Sequence, residues 1–449
     1  MNNPHPLHFP CATVRRLRYL SILLVATMLL GLGSASAPRA EQPAELATDP
    51  MASPIVQQVI EALRKQTGKT PDSQAIVDAL NRVTVGLLSN GKYSQAEPVV
   101  RAAWVLAERE LGEEHPDTLI SLNNLAGVYS EQGRYGEAES LLQQALAIRE
   151  RILGNEHPDT LRSLNNLAML YQSQGRYSKA EPLYQQALAA QERILGKEHS
   201  DTLGSLNNLA ALYEAQGRYG GAEALYKRAL ESSERMLGAE HPQTLSIINN
   251  LAGLYDIQGR YSEAEPLYQR ALEIRERELG TEHPDTLASF NNLAALYQAQ
   301  GHYLKAEALY RFALAGNERV LGSEHPDTLE NLNKLAGLYQ AQGRYEEAAG
   351  LLKRALTSYK RTLGTKHPDT LSCLNNLATL SQAQGRWAEA EPLFRRVSAV
   401  REEVLGAEHP RTLASLNDLA TLYYAQGRYG EAGSLHRYTL DVRKRVLGA

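Results

Sequence analysis

The chain has 449 residues, of which 43% are hydrophobic and 22% charged, a composition typical of folded rather than disordered proteins. Its formal net charge of −4 excludes the strongly basic surface of a nucleic-acid-binding protein. Two cysteines, Cys11 and Cys373, are too few for a disulfide-stabilised fold, and we expect Cys373 to be a buried, unreactive helix residue.

The first 37 residues have the three-part layout of a secretory signal peptide or a membrane anchor. Arginines come first, an uncharged run follows at residues 19–37, and Ala35-Ser36-Ala37 offers a cleavage site of small residues. The same run is just long enough for a tilted membrane helix, so a membrane tether is one alternative. A cytoplasmic protein with translation starting at Met51 is another. We predict export to the periplasm or beyond the cell, and mass spectrometry of the mature N-terminus would distinguish the three possibilities.

Residues 38–53 are predicted to be a polar linker, and residues 54–72 an N-terminal amphipathic helix. Ser53 and Pro54 suit the cap and the first turn of this helix, and Gly68 suits its end. The side chains predicted to form its apolar face are Ile55, Val56, Val59, Ile60 and Leu63. We expect this face to pack against the segment that follows.

Residues 73–449 repeat with a fixed period. Histidine recurs every 42 residues, at positions 115, 157, 199, 241, 283, 325, 367 and 409. The glycine of a Gly-Arg-Tyr-like turn keeps the same step, at positions 91, 133, 175, 217, 259, 301, 343, 385 and 427. A period of this size indicates a stacked array. The nine predicted units are residues 73–114, 115–156, 157–198, 199–240, 241–282, 283–324, 325–366, 367–408 and 409–449.

The second unit shows why each repeat should form two helices. Pro116 has a fixed φ and no N–H to leave unpaired, which suits a first helical turn. Apolar side chains then recur at helical spacing up to Tyr129, and Gly133 is suited to end this helix. A second helix is predicted from about Gly136 to Ile152. Such a pair leaves an apolar face that only the next unit can cover, which predicts an all-α solenoid of antiparallel helix pairs.

The repeated run H-P-D-T-L-x-S-L-N-N-L-A-x-L-Y-x-x-Q-G-R-Y-x-x-A-E resembles the tetratricopeptide repeat of the kinesin light chain-like subfamily. In the second unit the family's pattern of small and aromatic positions falls on Leu125, Ala126, Tyr129, Ala138, Leu142 and Ala145. The resemblance covers residues 73–449. It implies a right-handed superhelix whose first helices line a concave groove for extended peptides from partner proteins. The sequence has no long heptad segment for joining a motor heavy chain, so the resemblance names a repeat type only.

The first and last units depart from the pattern. Thr84 and Leu87 replace alanine and tyrosine in the first unit, while His436 and Thr439 occupy positions in the ninth that are apolar elsewhere. Terminal repeats of a stack face water, so we expect these two units to be its ends.

An asparagine pair on each first helix is the main candidate for a binding site. The first asparagine is present in all nine units, which indicates a fixed hydrogen bond between helices. The second position tolerates either charge, which indicates exposure in the groove. The candidate residues at this second position are Asn124, Asn166, Asn208, Asn250, Asn292, Lys334, Asn376 and Asp418. By analogy with the family, an amide here pairs with a peptide backbone; the alternative is that it only satisfies a neighbouring repeat.

Two flanking positions complete the predicted groove. One turn beyond the pair the side chains are small except for Met169, which predicts an open groove. The position before the pair varies most and includes Arg162, as expected of residues that set specificity. The arginine of each Gly-Arg-Tyr turn is expected to hold a local carboxylate or carbonyl at the outer surface.

The recurring histidines are the main alternative candidate for chemistry. Metal ligands lie within about 4 Å of one another, whereas equivalent atoms in stacked repeats stand about 10 Å apart, so His-Pro is expected to be a structural element. The sequence has no phosphate-binding loop or nucleophile turn, and we expect no unit to carry a polar cluster that its siblings lack. We therefore predict a non-enzymatic scaffold for peptides or partner proteins, without cofactor, metal, nucleic acid or small-molecule substrate. The alternative is a structural or self-assembling repeat protein.

Overall fold

A computed structural model describes residues 50–447, and within that range the chain forms nineteen α-helices, one short 3-10 turn and no strand. Helix α1 spans Pro54–Thr67. The first helices of the units are α2 (Ser73–Ser89), α4 (Pro116–Glu131), α6 (Pro158–Ser173), α8 (Ser200–Ala215), α10 (Pro242–Ile257), α12 (Pro284–Ala299), α14 (Pro326–Ala341), α16 (Pro368–Ala383) and α18 (Pro410–Ala425). The second helices are α3 (Tyr93–Glu110), α5 (Tyr135–Leu153), α7 (Tyr177–Ile194), α9 (Tyr219–Leu237), α11 (Tyr261–Leu279), α13 (Tyr303–Val320), α15 (Tyr345–Thr362), α17 (Trp387–Leu405) and α19 (Tyr429–Leu447). The predicted all-α solenoid of helix pairs is confirmed.

Packing divides the chain into two compact units, one ending at Ser163 and the other beginning at Leu164. The predicted signal peptide or anchor and most of the predicted linker lie outside the described residues. None of the described helices is long and apolar enough to cross a membrane.

Helix α1 covers the start of the repeats, as its apolar face predicted. Val56 and Val59 are buried against α2, and Gly68 ends the helix in the left-handed conformation at φ +70°. The predicted positions are confirmed, because Ser53 is the cap residue and Pro54 the first residue of the helix, although the Ser53 side chain makes no capping hydrogen bond. The preceding 3-10 turn places Ser53 instead, since its backbone N–H donates to the carbonyl of Pro50 at 3.2 Å.

The recurring histidine caps the first helix of each unit from the second to the ninth, and it precedes proline everywhere except at His199, which precedes Ser200. The Nδ1 atom of His115 accepts the backbone N–H of Asp117 at 3.2 Å and satisfies a donor that the helix leaves free. The same bond is made by His157, His199, His241, His283, His325, His367 and His409. The Thr118 hydroxyl donates to the carbonyl of Gly112 at 2.7 Å and ties the helix start to the preceding loop. The structural interpretation of His-Pro is confirmed.

In residues 164–447 the first helices occupy the inner side of the array. Each first helix from α8 to α16 packs against the next first helix and against its own second helix. Each second helix packs in turn against the first helix of the following unit. Second helices of neighbouring units make no comparable contact with one another within this range, so the curvature places them outside. The core between them includes Tyr226, which is 1% exposed, and alanines that allow close helix crossing.

The arginine of the Gly-Arg-Tyr turn joins adjacent repeats. Arg260 donates to Glu223 of the preceding unit at 2.6 Å and to Glu263 of its own unit at 2.5 Å, and it stacks on the ring of Tyr255. Equivalent bonds between units join Arg134 to Glu97, Arg218 to Glu181, Arg344 to Glu307 and Arg428 to Glu391. The predicted local carboxylate is confirmed, and the bond to the preceding repeat was not predicted.

Neutralising Glu223 should weaken one such junction, and more so at pH 7 than at pH 3. Hydrogen bonds from Arg260 and Lys227 lower the pKa of Glu223 to about 2. A carboxyl group whose pKa is lower in the folded protein than in the unfolded chain stabilises the folded protein at pH values above its ordinary pKa of 4.5. This contribution to stability is lost as the pH falls towards about 2, the pKa of Glu223 in the folded protein. After allowance for solvent screening, Glu223→Gln should cost about 1 kcal/mol at pH 7. Urea unfolding at pH 7 and pH 3 measures the cost.

The exposed Glu346, which makes no ion pair in the described residues, provides the control substitution Glu346→Gln. Two outcomes would contradict a stabilising role for the ion pair between Glu223 and Arg260. One is an equal loss of unfolding free energy in the two variants, and the other is a loss in Glu223→Gln that is as large at pH 3 as at pH 7.

The third and ninth repeats meet at a contact that we call the seam, formed by Ser173, Gly175, His409 and Pro410. The Nδ1 atom of His409 accepts a backbone N–H, so its Nε2 carries the proton and donates to the Ser173 carbonyl at 2.9 Å. Helix α19 packs against α7 on the same side. Burial lowers the pKa of His409 to about 4, so the ring is neutral at physiological pH.

Candidate peptide-binding groove

Each first helix in residues 164–447 has one buried face and one open face. In α8 the apolar residues Leu203 and Leu206 are buried, whereas Gly204, Asn208 and Ala211 are half-buried and lie on one side at helical spacing. Because the first helices occupy the inner side of this unit, their open faces follow one another along it. We call this surface the groove face.

The first asparagine bonds to the following repeat in five of the nine units, whereas Asn123 donates to Leu119 on its own helix. The joined residues of consecutive units are Asn81 and Ser121, Asn165 and Ser205, Asn207 and Asn250, Asn291 and Asn331, and Asn375 and Asp418. The distances between the bonded atoms run from 2.5 Å to 2.9 Å. The predicted fixed hydrogen bond between helices is confirmed in these five units.

The second position divides into two groups, where the sequence predicted one. Asn124 donates to Asn81 at 3.1 Å and Asn250 donates to Asn207 at 2.9 Å, whereas the Asp418 carboxylate accepts from Asn375 at 2.8 Å. These three side chains are therefore already used between repeats. The side chains without a hydrogen bond to any described residue are Asn166, Asn208, Asn292 and Asn376, of which Asn376 is exposed and the others half-buried. The predicted exposure holds for this second group.

The two predicted basic groove residues are also paired. Lys334 bonds to Glu330 at 2.9 Å, and the exposed Arg162 bonds to Asp159 on its own helix. The two lie on α14 and α6, and Met169 is half-buried one turn beyond the asparagine pair of α6. The groove face therefore presents no free basic residue among the predicted ones.

Two units carry a single acid at a position where four sibling units carry glutamine, a difference that was not predicted. Glu214 and Asp256 end α8 and α10 at a column that is glutamine at 172, 298, 340 and 382. Burial raises the pKa of Glu214 to about 7 and that of Asp256 to about 6. Reading this one column across the units finds both acids, but the sequence does not show that they are desolvated.

Metal-binding groups and the one cysteine of the described residues can also be placed. No three histidine, cysteine or acidic side chains in residues 50–447 are arranged to hold a metal ion. Cys373 is fully buried, as predicted, and burial raises the pKa of its thiol to about 12.

Tandem antiparallel helix pairs with open inner helices define this protein as an α-solenoid. The tetratricopeptide repeat profile matches residues 78–151, 122–193, 201–277, 243–319, 285–361, 327–383 and 373–445, and a second profile of that repeat matches residues 165–236. The chain belongs to the tetratricopeptide repeat family, whose members generally are non-catalytic scaffolds that bind protein partners.

Several solved structures resemble the chain. Nearly identical TPR-like repeats of a putative kinesin light chain from Podosopora anserina are 36% identical, with 46% of this chain and 98% of that chain covered and a TM-score of 0.38. BtubC (BKLC) from P. vanneervenii is 29% identical over 54% of this chain and 93% of that one, with a TM-score of 0.41. A Rap protein in complex with Competence and Sporulation Factor has a TM-score of 0.55, with 15% identity, over 82% of this chain and 98% of that one, and shows a shared fold. No curated protein sequence matches the chain significantly.

Proposed function

We propose that the chain is a non-enzymatic scaffold that binds an extended peptide, or an extended segment of a partner protein, along its groove face. The observation that carries this proposal is the set of unbonded amides at Asn166, Asn208 and Asn292. A primary amide offers a donor and an acceptor, the two groups that an extended peptide backbone presents outward.

The spacing of these amides suits an extended chain. Stacked helices stand about 10 Å apart, and an extended peptide advances about 3.3 Å per residue. Asn166 and Asn208, on consecutive first helices, would therefore meet peptide residues about three apart, and Asn208 and Asn292, two first helices apart, would meet residues about six apart. Backbone pairing of this kind gives affinity with little dependence on the peptide's sequence.

Removing two free amides should weaken partner binding without unfolding the protein. Asn166→Ala combined with Asn208→Ala deletes two backbone-pairing groups, each contributing about 1 kcal/mol, so we expect a loss of affinity of roughly tenfold to a hundredfold. The partner is first identified by crosslinking in the native compartment and mass spectrometry. Titration calorimetry then measures the affinity, and circular dichroism checks the helix content.

The matched control is Asn124→Ala combined with Asn250→Ala, which removes amides already bonded between repeats. Unchanged affinity in the Asn166 and Asn208 variant would assign the whole column a structural role. Concentration-dependent growth in light scattering without a partner would favour the self-assembling alternative instead.

A further inference from the structure

Helix α13, the second helix of the sixth unit, exposes an apolar strip on the outer side of the array. Leu304, Ala308 and Phe312 are four residues apart, so they follow one another along one side of the helix. All three are exposed, Leu304 by 84% and Phe312 by 43%. In the eight other units the position of Leu304 is glycine, serine, alanine or glutamate. The strip is therefore a property of the sixth unit and not of the repeat.

Phe312 also replaces a cation that the neighbouring junctions use. Arg270 of the fifth unit bonds to Glu234 of the fourth at 2.6 Å, and the same pair joins the third unit to the fourth and the sixth to the seventh. Between the fifth and sixth units, Phe312 takes the place of the arginine and Glu276 that of the glutamate. Glu276 is half-buried, and its carboxylate bonds to no residue that the structure describes. The outer surface of this junction therefore places exposed apolar side chains next to an unpaired acid.

Packing within the sixth unit explains the strip only in part. The ring of Phe312 meets that of Phe290 edge-on, with 4.8 Å between the ring centres, so Phe312 covers one side of a core residue. Leu304 is too exposed to serve the core of its unit in this way. Apolar surface of this kind in water indicates a contact with another molecule.

Lys305 lies on the same edge of α13 as Phe312. The two residues are seven positions apart, which is two helical turns, so both lie on the edge nearest α11, the helix that carries Glu276. The ammonium group of Lys305 lies 5.0 Å from the ring centre of Tyr297, and no described carboxylate pairs with it. This edge therefore carries an unpaired acid and an unpaired base, about two helical turns apart.

We propose that the strip binds the same strip of a second copy of the chain, with the two α13 helices antiparallel and crossing at Ala308. A two-fold axis through this crossing places Leu304 of one copy against Phe312 of the other, because both residues lie four positions from Ala308. The small side chain of Ala308 lets the two helices approach closely where they cross. The two large side chains of each strip then cover each other across the axis.

The same axis brings the unpaired charges together. It reverses the helix direction but keeps the edge with Glu276 on one side of both copies. Lys305 of one copy comes level with Arg311 of the other, about 1.5 Å along the helix from Phe312, beside which Glu276 lies. Arg311 itself lies on the other edge, where it pairs with Glu307 at 3.0 Å. Two ion pairs between Glu276 and Lys305 result, and a second copy already carries both groups that the contact needs.

The contact is small, because second helices lie on the outer side of a curved array and a second copy reaches mainly α13. We expect a weak, reversible dimer. It closes at two chains, since each copy has used its strip. The strip lies on the outer side, so this dimer leaves the proposed peptide binding on the groove face unaffected.

Sedimentation equilibrium of the full chain over roughly a thousandfold range of concentration tests the dimer. The parent should pass from one chain to two and stop there. Leu304→Ser combined with Phe312→Arg installs the residues of the fifth unit, and the new arginine regains a pair with Glu276, so this variant should fold and remain a monomer. Val320→Thr is the control, because Val320 is 46% exposed on the same helix but about 160° around it from Leu304. This control should associate as the parent does.

An exchange of charges tests the antiparallel arrangement. Lys305→Glu installs the residue of the fifth and seventh units and makes both ion pairs repulsive, so it should weaken the dimer roughly tenfold. Adding Glu276→Lys, the residue that the seventh unit carries at this position, should restore the affinity of the parent.

Four outcomes would overturn the inference. A parent that stays monomeric would leave the strip to a different protein, and a dimer that survives the Leu304 and Phe312 substitutions would lie elsewhere on the chain. An exchange of charges that does not restore the affinity would contradict the antiparallel pairing. A mass that keeps rising beyond two chains would contradict a two-fold contact, and this result alone would favour the self-assembling alternative to the proposed function.

Discussion

Replacing Gly175 with alanine should open the seam between the third and ninth repeats. A Cβ atom at this position would lie 2.2 Å from Cδ and 2.6 Å from Cγ of Pro410, and a proline ring cannot rotate away. The substitution also places a side chain at φ +69°, a left-handed conformation that costs about 1 kcal/mol. We expect the bond between His409 and Ser173 to break. Small-angle scattering should show a larger radius of gyration with unchanged helix content.

Gly343→Ala is the matched control for this change. Gly343 ends the equivalent turn of another unit at φ +76°, and a Cβ there meets nothing within 4 Å. Both variants therefore share the backbone strain, and only Gly175→Ala has the clash. The same radius of gyration in both variants would show that the seam does not hold the array together in solution.

Replacing Tyr226 with alanine should split the denaturant-induced unfolding of the array into two separate transitions. Its side chain is 1% exposed and packs between the fourth and fifth repeats, and removal of a buried aromatic costs about 3–5 kcal/mol. Stability in a repeat array comes from contacts between neighbours, so a weakened junction uncouples the units on either side. We expect Tyr226→Ala to convert one denaturant transition into two, measured by circular dichroism.

Tyr219→Ala provides the comparison on the same helix. Tyr219 is 37% exposed, so its removal leaves little cavity and should cost about 1 kcal/mol or less. A single transition in the Tyr226 variant, shifted no further than in the Tyr219 variant, would contradict a nearest-neighbour array.

The helix pairs could be predicted from sequence because each boundary has a local cause. The His-Pro start, the glycine stop and the apolar spacing act within a few residues, and repetition reduces ambiguity. Ser53 is the cap residue, as predicted, but local reasoning did not show that a backbone hydrogen bond to Pro50, rather than the Ser53 side chain, holds the chain there. The seam could not be predicted, because Ser173 and His409 lie 236 residues apart and their motif is shared by every unit.

The sequence predicted which equivalent positions of the repeats form the candidate site, but not which individual residues at those positions are free to bind a ligand. Comparison among units predicted the bond of the first asparagine between repeats, which five units show. It did not show that Asn124 and Asn250 would turn towards the preceding repeat, because that choice depends on small differences in helix packing. Glu214 and Asp256 appear in the sequence as ordinary surface acids, and only their burial distinguishes them.

The seam has a consequence for how fast a ligand could come and go. Since the third and ninth repeats meet, widening the inner side of the array between them requires the hydrogen bond from His409 to Ser173 to part first. A ligand too bulky for the closed array would then bind only as fast as the seam opens, whereas a smaller one would bind without that delay.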